Sequence, residues 1–146
     1  MLDLMIGKSS IPNSVRYLSG AIAVLGALLA FQPVSFAGDQ DMSVIARASS
    51  GPLVCEIRRA AAGDAVELTG SVSSSIAVSG QARFVLTKSG SSGNSNISQG
   101  NAFALAAGAD DRVSRVTINL GHDDHAVVEL VATAKDGATC RATANL

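Results

Sequence analysis

The sequence predicts an all-β fold, an immunoglobulin-like β-sandwich of seven to eight short antiparallel strands. Three observations point there. Apolar residues recur with period two through most of the chain after residue 50, the signature of strands with one wet face. Turn residues interrupt that pattern every 8–12 residues or so, as in sandwiches. No segment after residue 37 carries the 3.6-residue apolar spacing of an amphipathic helix.

The elements follow in order. Met42 to Ala48 reads as a first strand or an extended arm, closed by Gly51-Pro52. In Leu53-Val54-Cys55-Glu56-Ile57-Arg58-Arg59 the odd positions through Ile57 are apolar and face a core, with Glu56 and Arg58 opposite. Ala62-Gly63-Asp64 makes a turn. Val66, Leu68, Gly70 and Val72 then share one face, and Glu67, Thr69 and Ser71 the other. Ile76 to Val78 suggests a short edge strand in a polar stretch. Gln81 to Lys88 is a strand with Ala82, Phe84 and Leu86 inward.

Ser89 to Asn96 is a loop by composition. Ile97, Phe103 and Leu105 suggest one or two short strands around Gln99-Gly100-Asn101, and Ala106 to Asp111 a break or helical turn. Val113, Val116, Ile118 and Leu120 give a strand whose irregular start implies a bulge. Gly121-His122-Asp123-Asp124-His125 turns the chain. Ala126 to Ala134 and Ala138 to Ala144 flank Asp136-Gly137, a strong hairpin signal.

The first 37 residues differ from the rest. Lys8 and Arg16 precede an apolar run from Ala21 to Phe31, Gln32-Pro33 breaks it, and Ser35-Phe36-Ala37 offers small residues at a cleavage site. The run is shorter than the roughly 20 residues that span a bilayer, so a signal peptide cleaved after Ala37 is the expectation. An uncleaved anchor is the competing reading, and Met5 a possible alternative start. The chain then divides into a signal peptide (1–37), an arm or first strand (38–50) and a β-sandwich domain (51–146), located in the periplasm and free of the membrane once cleaved.

Composition excludes several functions. Residues 38–146 hold nine Lys+Arg and 11 Asp+Glu, a net charge of −2. That is no basic excess for nucleic acid. Phe84 and Phe103 are the only aromatics in that stretch, too few for stacking platforms. Cys55 and Cys140 are an even count in an exported chain, which points to one disulfide closing 85 positions; two buried thiols are the alternative. No Gly-x-Ser-x-Gly elbow or Cys-x-x-Cys pair occurs, and Glu56, Glu67 and Glu129 take outward parity, where solvated charge is expected. The chain therefore reads as a non-enzyme with no cofactor. His122 and His125 flank two carboxylates, but four consecutive residues converge poorly on one ion, so a turn is expected rather than a metal site. Arg58, Arg83 and Arg141 take outward parity and Lys88 ends a strand; together they are the candidate partner-binding residues, an electrostatic guide for an acidic partner.

Cys55-Glu56-Ile57-Arg58, Leu68-Thr69-Gly70, Arg83-Phe84, Thr87-Lys88-Ser89-Gly90, Ile97-Ser98-Gln99-Gly100, Phe103 to Gly108 and the late Cys140 resemble, in order and spacing, the CsgH family of curli assembly chaperone-like inhibitors. The resemblance covers about residues 52–142. It implies a periplasmic immunoglobulin-like sandwich, non-enzymatic, whose partner is a curli subunit kept from polymerising into amyloid by electrostatically guided contact; a monomer is the expected state. The enteric counterpart carries a Cys-x-Cys pair, which Cys55-Glu56-Ile57 lacks. The competing functions are a periplasmic metal-binding module using His122 and His125, and a structural adhesion-associated sandwich.

Overall fold

The computed structural model describes residues 41–146. The expected signal peptide and its cleavage site lie outside the described residues. Eight strands follow one another without a helix among the described residues: β1 (Ser43–Ser50), β2 (Leu53–Ala62), β3 (Ala65–Ser74), β4 (Val78–Ser89), β5 (Ser95–Leu105), β6 (Asp110–Ile118), β7 (His125–Ala134) and β8 (Thr139–Asn145). They form two four-stranded antiparallel sheets, β1-β2-β3-β6 and β5-β4-β7-β8. This is the all-β, immunoglobulin-like sandwich that the alternation predicts.

Period two builds the core. Leu53, Cys55 and Ile57 of β2, Leu68 and Val72 of β3, Phe84 and Leu86 of β4, and Val128 and Leu130 of β7 all face the opposite sheet, 0–1% exposed. Tight hairpins hold register. Ala62 pairs with Ala65 across Gly63-Asp64, and Gly137 N–H donates to the Ala134 carbonyl at 2.9 Å. Between Gly70 and Ser71 the register of β3 against β6 shifts. Val113 and Ser114 are both buried there, which is the bulge the irregular apolar spacing implies.

Two expectations change. Ile76 and Ala77 form no edge strand: they lie in the connection that carries the chain from one sheet to the other, with Ile76 half exposed, and Val78 opens β4. Ile97 to Leu105 belongs to one continuous strand of 11 residues rather than two short ones. Its polar middle is explained by hydrogen bonds to the neighbouring sheet. Asn101 Nδ2 donates to the Val113 carbonyl at 2.5 Å and Gln99 Nε2 to the Arg115 carbonyl at 3.4 Å. Inward parity therefore serves backbone acceptors instead of apolar packing.

Cys55 and Cys140 form a disulfide, with Cα atoms 5.8 Å apart. It joins β2 of one sheet to β8 of the other.

Candidate functional site

The two sheets have different outer faces. On the β5-β4-β7-β8 sheet, Arg83 pairs with Val131 and Val131 with Arg141. The three form one row across the sheet, since strand neighbours in register share a face. The next row brings Val85 beside Glu129. Val127 lies a row further on, 47% exposed. Arg83, Val85, Val127, Glu129, Val131 and Arg141 thus line a shallow depression. Arg141 Nη1 donates to Glu129 Oε2 at 2.7 Å. Arg83 has only the Ser98 hydroxyl, at 3.4 Å, and no carboxylate partner among the described residues. Its positive charge is therefore the less compensated of the two.

Arg58 lies elsewhere. It stands on the outer face of the other sheet, opposite Thr69 and beside Glu56. Arg47 and Arg58 both reach the Glu56 carboxylate, Arg47 at 3.4 Å. Arg115 Nη2 donates to Glu67 Oε2 at 2.7 Å. Glu56 and Glu67 are consequently buried, not the solvated charges that parity alone suggests. They occupy the inner strands β2 and β3, where arginines of adjacent positions fold over them. The basic stripe expected from Arg58, Arg83 and Arg141 is divided between two faces on opposite sides of the sandwich.

Lys88 departs further from expectation. Its side chain is 5% exposed. The reason is legible in the strand: Ala82, Phe84, Leu86 and Lys88 share parity, so Lys88 continues the inward row. Its Nζ donates to Asp124 Oδ2 at 3.0 Å, to the Asn119 carbonyl at 3.0 Å and to Ser92 Oγ at 2.5 Å. Asp124 also accepts from the Ser92 hydroxyl, the Ser92 amide at 3.1 Å and the Gly121 amide at 2.9 Å. Gly90, at φ +156, fits only because it lacks a Cβ; one built there would stand 2.1 Å from Asp124 Oδ1. This buried pair clamps the Ser89–Asn96 loop to the Gly121–His125 turn. Lys88 is thereby a structural residue with no free charge to offer a partner.

The clamp also orients the Gly121–His125 turn. Asp124 points inward to Lys88, whereas His122 and Asp123 point into solvent, 99% and 82% exposed and 3.4 Å from each other. His125 opens β7 as an exposed residue. Asp124 is thus turned away from the exposed His122–Asp123 pair.

The Asp124 carboxyl is held well below the usual carboxylate range, chiefly by the Ser92 hydroxyl, then by the Gly121 and Ser92 amides and by Lys88, against the opposing effect of burial. A depressed folded pKa contributes stability above the unfolded value of about 3.9 and loses it as pH falls. Thermal melts of wild type and Asp124→Asn taken from about pH 5 down to about pH 2 should therefore converge, because the wild type alone forfeits this contribution on acidification. Parallel pH profiles for the two proteins would show that Asp124 does not titrate in that way.

Comparison with known proteins agrees with the architecture. The family model described as CsgH protein matches residues 54–143, more than half of the chain. The chain belongs to the CsgH family. Among solved structures it is similar to CsgH of R. palustris, with 19% identity, 71% of this chain and 91% of that one covered, and a TM-score of 0.48. It is also similar to the E. coli curli protein CsgC, with 17% identity, coverage of 64% and 97%, and a TM-score of 0.55. The latter likeness is one of fold. A search of curated proteins finds no match.

Proposed function

We propose that this CsgH-family protein is an exported, periplasmic, chaperone-like inhibitor. It keeps curli subunits from polymerising prematurely into amyloid, and acts as a monomer through transient, electrostatically guided contact. Membership of the CsgH family carries the reading. The segment before residue 38, with its basic start and apolar run, supports export. The Arg83-Val131-Arg141 row supports the electrostatic part, since it sets two exposed guanidiniums on one face of a chain whose residues 38–146 are acidic overall. Such a patch speeds encounter without adding a permanent interface. Arg58, on the other face, is a second and separate contact.

Charge guidance has a measurable signature. Screening shortens from about 10 Å at 0.1 M salt to about 3 Å at 1 M. Delay of fibre formation by a purified curli subunit, followed with thioflavin, should weaken as salt rises. Arg83→Ser with Arg141→Ser should weaken it at low salt, while stability changes by no more than about 0.5 kcal/mol per site. Arg58→Ser on the opposite face separates the two contributions. If delay is independent of salt and of all three arginines, charge does not guide the contact.

A further inference from the structure

The four edge strands of the sandwich are not equally defended. β1 carries Arg47 and a register shift between Val44 and Ala46. β8 carries Arg141 and packs against β1. β6 carries Asp110, Asp111, Arg112 and Arg115, is bulged against β3, and has its Val113 and Arg115 carbonyls taken by Asn101 and Gln99. Charges, bulges and cover keep an edge from pairing further. β5 carries no charge and no bulge. Its residues, Ser95–Leu105, include no Asp, Glu, Lys, Arg or Pro, and they pair with β4 in unbroken register.

The ladder shows which backbone groups of β5 point outward. Ala126 and Leu146 exchange both backbone hydrogen bonds, at 3.0 and 2.8 Å, so the even positions of β7 bond to β8. Bonded pairs alternate along an antiparallel strand. The odd positions of β7 therefore bond to the odd positions of β4, and Lys135 N–H donating to the Ser79 carbonyl at 2.9 Å has that phase. The even positions of β4 are left for Ile97, Gln99, Asn101 and Phe103 of β5. Asn96, Ser98, Gly100, Ala102 and Ala104 consequently direct their amides and carbonyls away from β4. All five are exposed, and β4 is the only strand that β5 pairs with among the described residues. A Cβ built on Gly100 would meet nothing nearer than the Ala82 carbonyl, at 3.9 Å. Between this edge and β6 runs an open groove lined by Gln99, Gly100, Asn101, Arg112, Ser114 and Arg115. Arg115 is engaged by Glu67. Arg112 is exposed and has no carboxylate partner among the described residues.

We propose that the outward edge of β5 receives an extended segment of the amyloid-forming subunit by strand addition, with a carboxylate of that segment meeting Arg112. This rests on the function proposed above and names its docking edge. Cross-β stacking draws on segments that are extended, poor in charge and free of proline. Such a segment pairs along β5 through main-chain hydrogen bonds, with no charge of β5 to desolvate. A second copy is the poorer occupant, because its β5 brings no carboxylate to Arg112. Pairing with β5 occupies one of the two edges through which a subunit chain joins the stack.

The test uses the whole exported protein and a purified curli subunit. Proline suits an edge strand where its missing N–H faces outward, so Ala102→Pro deletes one outward donor and leaves the β4 ladder intact. It should raise the concentration needed to delay fibre formation by about tenfold, the scale of one lost backbone hydrogen bond. Ala102→Ser, which keeps the N–H, should behave as wild type. Arg112→Ser should raise that concentration by about two- to fivefold at low salt, the scale of an exposed ion pair; no change overturns an acidic segment as the occupant. Folded Ala102→Pro that inhibits as well as wild type overturns the docking edge and leaves the inhibitor function standing. Failure of the wild type to inhibit overturns the function itself. Hydrogen exchange on the wild type decides if the proline variant does not fold: slower exchange at the Ser98, Gly100 and Ala102 amides with subunit present is expected, and unchanged exchange there overturns the proposal. A wild-type dimer in sedimentation that Ala102→Pro dissociates also overturns it, by making the edge a self-interface.

Discussion

Reduction of the Cys55–Cys140 disulfide is expected to lower stability by about 4–5 kcal/mol at the upper end, the chain-entropy value for a closed loop of 85 positions. Domains of this size are typically stable by only about 5–15 kcal/mol, so the loss is a large part of the total. A drop in melting temperature of roughly 20 °C corresponds to it. The bridge reaches from β2 to β8, across the sheets and near both ends of the domain. No other covalent link among the described residues constrains the unfolded chain. Cys55→Ala with Cys140→Ala should reproduce the effect of reductant, with a smaller added cost for the lost packing of two side chains buried in the core. Identical melts with and without reductant, the thiols verified as free, would remove the disulfide from the stability account.

Phe84→Ala should be the most damaging single core substitution, costing about 3–5 kcal/mol in thermal or denaturant unfolding. Phe84 is 1% exposed and the largest of the fully buried side chains. It extends from β4 across the sandwich to β3. A Cβ built on Gly70 would lie 2.9 Å from Phe84 Cδ2 and 2.7 Å from Ser114 Oγ. The ring therefore occupies the space that Gly70 leaves open. Gly70→Ala should destabilise from the opposite direction, by overpacking, at about 1–3 kcal/mol. If Phe84→Ala unfolds no more easily than Val127→Ala, a substitution on the exposed face, the inter-sheet contact is not what holds the core.

The alternation of apolar residues was enough to place most strands and to orient Phe84, Leu86, Val128 and Leu130, because period two is a property of the strand itself. Lys88 and Asp124 obey the same rule, although their charge alone suggests exposure. Lys88 falls in the row of Phe84 and Leu86, and Asp124 in that of Ala126 and Val128. Both turn inward, where each can satisfy the other. The continuous β5 was hidden because Gln99 and Asn101 are polar at inward positions, and their acceptors belong to β6. The assignment of strands to sheets lies beyond periodicity altogether. Arg58 and Arg83 have equal outward parity, yet they face opposite directions because β2 and β4 belong to different sheets.

If this protein restrains amyloid formation by a curli subunit, the lag time of that subunit's fibre formation responds to it. Purified subunit is mixed with increasing amounts of this protein carrying its disulfide, at low salt, and fibres are followed by thioflavin fluorescence and electron microscopy. The lag is predicted to lengthen with dose while the subunit stays soluble. A lag that stays the same at every ratio, with the protein shown to be folded, would mean that this protein does not restrain the subunit's assembly.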